Sequence, residues 1–118
     1  AALTGPQEPV ERMREAFDRR RHAMVEGLCR IPRIECPVPD GAFYALPTVK
    51  AFLGRRIAGR PVPDVATLAE TILEEAKVAV LAGTAFGAPE SIRVSYACDE
   101  ASIAKGLDRL ERLLATAT

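Results

Sequence analysis

The chain has 118 residues, of which 48% are hydrophobic and 27% charged, and its formal net charge is zero. That composition belongs to one soluble globular domain with enough apolar material for a core, and it excludes a disordered segment. The longest apolar runs, such as VAVLA at 78–82, are too short to span a bilayer, and no basic stretch leading into an apolar one suggests export.

The charge is unevenly spread. Residues 1–60 hold eleven Lys/Arg against seven Asp/Glu, and residues 61–118 hold five against nine. Much of the positive excess is Arg19, Arg20 and Arg21, followed by His22. The run sits inside an amphipathic helical pattern with few aromatics nearby, so a solvated or internally paired helix face is expected and nucleic-acid binding is not. Cys29, Cys36 and Cys98 are odd in number and lack CxxC spacing. They read as reduced thiols in a cytoplasmic protein, not as a disulfide framework or a metal site.

In chain order, residues 1–8 form a lead-in and Pro9 suits the first turn of a helix over 9–30. Its apolar stripe is Val10, Met13, Phe17, Met24, Leu28 and Ile31. Pro37, Pro39 and Asp40-Gly41 then make a turn region, after which 42–46 can extend as a strand. Residues 47–63 read as a short helical turn and a polar surface loop. Asp64 caps a second helix with Val65, Leu68, Ala69, Ile72, Leu73 and Ala76 inward. VAVLA follows as a buried strand, GTAFGAPE as a loop and SIRVSYA (91–97) as another strand. Asp99 caps the last helix, with Ile103, Leu107, Leu110 and Leu114 inward and Asp108–Arg112 as an outward pair. The predicted fold is α+β: one domain over 1–118, a two-layer arrangement with a small, mostly antiparallel sheet covered by long helices.

Enzyme constellations are sparse. His22 is the only histidine and lies in a charged helical run. Ser95 has no GxSxG elbow and no evident base. Lys50, Lys77 and Lys105 read as surface charges, although a lysine can in principle form a Schiff base. GTAFG at 83–87 is a glycine loop after a strand, but Pro89 and another strand follow it where a phosphate cradle would need a helix. Arg93 is the exception. Ile92, Val94 and Tyr96 share one face of their strand, leaving Arg93 with small Ser95 and Ala97 on the other. Either the guanidinium is solvated, or it is held to meet an anion, and a carboxylate suits its planar fork.

Taken together, PDGAFYALP, LEEAKVAVLAGTAFG, SIRVSYA and DEASIAKGLDRLERLL resemble the C-terminal part of a fold-type I, class I pyridoxal-phosphate-dependent aminotransferase. The similarity is greatest to the bacterial aspartate aminotransferase branch and covers nearly the whole chain. It implies that 1–118 is the small domain, with the large cofactor-binding domain outside it. It also implies that Arg93 binds the substrate α-carboxylate and that Phe86 lies near substrate. A proline is common in the family where Ala82 stands. No position matches the family's catalytic residues or its cofactor lysine, so the resemblance implies an inactive fragment of an active parent. That parent would use pyridoxal phosphate, exchange an amino group between an amino acid and a 2-oxo acid, and form a homodimer in the cytoplasm. The alternative is a non-catalytic anion-binding or assembly module of the same fold.

Overall fold

The computed structural model describes all residues from 1 to 118. Helix α1 spans Glu8–Arg30, with Pro9 in its first turn and Glu8 and Glu11 placed favourably at the positive end of its dipole. Helix α2 spans Val65–Thr71 and continues as one π-helical turn over Ile72–Ala76, which Lys77 ends with a left-handed φ of 56°. Helix α3 spans Glu100–Leu114. Both expected caps are present: the carboxylate of Asp64 accepts the amide of Thr67, and that of Asp99 accepts the amide of Ser102, each at 2.8 Å.

The main sheet has three short antiparallel strands, β1 (Tyr44–Ala45), β5 (Ile92–Ser95) and β4 (Leu81–Ala82), in the order β1-β5-β4. Tyr44 stands opposite Ser95, and Leu81 opposite Arg93. The pairing of β1 continues irregularly, with Ile92 donating to Pro47 O and Val49 to Glu90 O. Ile92, Val94 and Tyr96 face inward and are buried, as their alternation predicts. They join Leu28, Phe52, Leu68, Ile72 and Leu110 in one core that the helices close from that side. The opposite face, which carries Arg93, has no helix over it and is open.

Four sequence expectations need correction. Residues 47–63 are more than a helical turn and a polar loop. After a 3-10 turn at Lys50–Phe52, they form a hairpin of β2 (Arg55–Ile57) and β3 (Arg60–Val62). Ala58 and Gly59 both take positive φ, as a tight two-residue hairpin turn needs, while Ile57 and Val62 are buried. The alternation was too brief and too rich in arginine to stand out.

VAVLA is not a buried strand either. Only Leu81 and Ala82 pair, none of the five residues is buried, and Leu81, opposite Arg93 on the open face of the sheet, is 49% exposed. Leu73 is exposed, since the π turn rotates it off the apolar stripe of α2. Finally, Val10 and Met13 are exposed although they continue the stripe of Met24 and Leu28. A 23-residue helix runs about 34 Å, so its first turns project past the body of a molecule measuring 54 × 28 × 22 Å.

Candidate functional site: an arginine between two aromatic rings

Strand β5 holds Arg93 at its centre, and alternation directs the side chain to the open face. The guanidinium carbon lies over two rings, 4.5 Å from the centroid of Phe86 and 4.9 Å from that of Tyr44. Phe43 meets Tyr44 edge to face, with centroids 5.7 Å apart and planes at 89°. All three rings are substantially exposed, yet Arg93 itself is half-buried.

What is absent around Arg93 matters as much. No carboxylate lies within ion-pair distance, and its side chain donates no hydrogen bond inside the chain. Several other basic groups are paired with acids, among them Arg14 with Glu11, Arg21 with Asp18, Arg60 with Glu74, Lys50 with Glu90 and Arg112 with Asp108, whereas Arg93 is half-buried and has none. The N–H donors of Arg93 thus have no partner inside the chain, and their planar fork is of the kind that suits a carboxylate.

The turn that carries Phe86 is built to be rigid. A 3-10 turn spans Gly83–Phe86 and is closed by Gly87 at φ 73°. Gly83 donates to Ser91 O at 2.8 Å and accepts from the amide of Ala88 at 2.9 Å. Ala82 holds φ at −62°, the angle a proline would impose, so the loop keeps its conformation without one.

The remaining candidates lie elsewhere. His22 is exposed, 3.7 Å from Asp18. The basic run is internally engaged, with Arg19 3.6 Å from Glu100, Arg20 over Phe17 and Arg21 tied to Asp18 and to Pro39 O. Ser95 bonds locally, to Phe43 O and Ala97 N. The three thiols are free, and burial, aided by the Cys29 thiol nearby, pushes Cys36 up to about 11. No three His, Cys, Asp or Glu side chains cluster to hold a metal ion, and no helix is long and apolar enough to cross a membrane. A cleft of about 570 Å³ runs between α1 and residues 40–43 with Arg14, Arg21 and Tyr96 among its walls. It does not contain Arg93; Phe43 borders it on one side and packs on Tyr44 on the other.

Comparison with known proteins now decides the family. The model for aminotransferase class I and II matches residues 1–110. The chain belongs to that family. It is 49% identical over 117 residues to an aspartate aminotransferase of Streptomyces avermitilis, covering 99% of this chain and 29% of that protein. The aspartate aminotransferase of Geobacillus stearothermophilus is 40% identical over 114 residues, of which this chain spans 28% of the length. Among solved structures, the Rhizobium meliloti aspartate aminotransferase superposes with a TM-score of 0.93 at 36% identity, covering 99% of this chain and 30% of that one. This aminotransferase segment therefore spans under a third of the relatives it matches.

Proposed function

We propose that this chain is the small, substrate-closing domain of a pyridoxal-phosphate-dependent aminotransferase, and that Arg93 holds the substrate's α-carboxylate. The observation that carries the reading is the half-buried guanidinium of Arg93, held over two rings with no internal acid to neutralise it. The names of the relatives favour aspartate as the amino donor, and a 2-oxo acid is the acceptor in this reading. One structural neighbour, the Thermus thermophilus aspartate aminotransferase solved with maleate, superposes at a TM-score of 0.77 with 37% identity. A dicarboxylate in such a relative is in keeping with a carboxylate receptor here.

In this reading the cofactor, which supplies the electron sink for amino-group transfer, is held by a large domain of the same polypeptide. The lysines of this chain do not form its pocket. Lys50 pairs with Glu90 at 2.9 Å, Lys77 donates to Glu74 O at 2.7 Å, and Lys105 is exposed on α3. The parent works in the cytoplasm as a homodimer, and the isolated domain is inactive. The role of this chain is binding and orientation. Arg93 donates two parallel, charge-assisted hydrogen bonds to the carboxylate. Phe86, at the end of its rigid turn, shields the pair from water, which strengthens the attraction as the domain closes.

Borohydride reduction of the full-length polypeptide in the presence of pyridoxal phosphate, followed by peptide mapping, tests the assignment. A single labelled lysine outside residues 1–118 is the expected result. Stoichiometric label on Lys50, Lys77 or Lys105 would overturn the division of labour. No label anywhere would favour a non-catalytic anion-binding module.

A further inference from the structure

The guanidinium of Arg93 has two faces and an edge lined by five N–H donors, and its aromatic neighbours engage it without donating or accepting a hydrogen bond. Phe86 and Tyr44 come from opposite sides of β5: Phe86 from the turn after β4, and Tyr44 from β1, where it faces Ser95. The chain's other arginine–ring contact, Arg20 with Phe17, involves one ring at 5.5 Å. The Tyr44 hydroxyl makes no hydrogen bond within the chain, so it is the ring that engages Arg93. Leu81, opposite Arg93 in the register, adds an apolar flank.

An acid partner would also fix the guanidinium, but it would occupy the N–H edge and cancel the charge that an incoming anion needs. Aromatic faces attract the cation through their quadrupole and leave that edge free. A long, rotamer-rich side chain loses its freedom when it binds, which weakens affinity unless that order exists beforehand. We infer that Tyr44, together with Phe86, is a positioning residue for the carboxylate site: the two rings pre-order Arg93 with its donor edge free and its charge intact.

This inference rests on the reading of Arg93 as the carboxylate anchor, and the test separates the two. In the full-length holoenzyme, Tyr44→Leu and Phe86→Leu are each expected to raise KM for both the amino acid and the 2-oxo acid about tenfold. The value of kcat should stay within about threefold. Tyr44→Phe, which keeps the ring, should match the unsubstituted enzyme. A second measurement needs no activity. In NMR spectra of the 118-residue chain, the δ-methylene protons of Arg93 should be shifted upfield by the rings, and Tyr44→Leu should reduce that shift. Unchanged KM in Tyr44→Leu, with KM raised in Arg93→Lys, would overturn the positioning role and leave the anchor standing. Unchanged KM in Arg93→Lys would overturn both. An Arg93 with no upfield shift in the unsubstituted chain would overturn the pre-ordering directly.

Discussion

The amide of Gly83 donates to the carbonyl of Ser91 at 2.8 Å, and this bond pins the turn that carries Phe86 to the strand that carries Arg93. A Cβ at position 83 would run into the carbonyl oxygens of Ala88 and Ser91, both backbone atoms with no freedom to swing aside. Gly83→Ala is therefore expected to destabilise the chain by about 1–3 kcal/mol. Urea denaturation gives the value, and loss of the Phe86–Arg93 contact by NMR would show that the turn has shifted.

Arg93 itself should matter little to folding. It has no ion pair to lose, and its contacts with Phe86 and Tyr44 are all that a truncation removes. Arg93→Ala is expected to change the stability of the isolated chain by less than about 1 kcal/mol. Matched thermal melts check this, and a collapse of the fold would make Arg93 a structural residue.

The helix caps give the acid limb of stability its sign. The backbone amide of Thr67 holds the carboxyl of Asp64 below its usual range, and the hydroxyl and amide of Ser102 do the same for Asp99. A carboxyl depressed in the folded state stabilises it fully above the unfolded value of about 3.9. That contribution disappears as pH falls through the lower folded value. Melting temperature should accordingly fall as pH drops from about 5 towards 2, and Asp99→Asn should flatten that fall. An unchanged acid limb in both Asp64→Asn and Asp99→Asn would contradict the caps' contribution.

Val10 and Met13 are each 55% exposed along the projecting end of α1, and Leu3, in the turn before it, is 95% exposed. Exposed apolar stripes favour association, so the isolated chain should self-associate as concentration rises. Sedimentation of the unsubstituted chain against Val10→Glu/Met13→Glu checks it: the double variant should stay monomeric, and equal behaviour would assign any association elsewhere.

Much of the fold was legible wherever a local rule decides the outcome. Asp64 and Asp99 cap their helices as read, because an N-cap needs only the next three residues. The inward set Ile92, Val94 and Tyr96 follows from alternation alone. What escaped depends on geometry beyond the local window. Ala58 adopts a positive φ that its residue type does not announce, so the β2–β3 hairpin read as a loop. Leu73 is turned outward by a π turn, and Val10 and Met13 by the length of α1 beyond its neighbours. In the site, Arg93 stood out by chemistry and Phe86 by family resemblance. Tyr44 gave no signal, because its meeting with Arg93 depends on β1 pairing beside β5 across about fifty residues of chain.

The proposed role of Arg93 as carboxylate anchor is tested most directly in the full-length polypeptide. Leaving a desolvated carboxylate without its partner costs roughly 2–5 kcal/mol, so Arg93→Ala should lower kcat/KM by about thirtyfold to several-thousandfold. Arg93→Lys, which keeps the charge but loses the planar fork, should recover only part of the loss. The amino-acid and 2-oxo-acid half-reactions should fall in parallel, since each substrate presents the same carboxylate. Near-normal kcat/KM for both substrates in full-length Arg93→Ala would contradict the assignment.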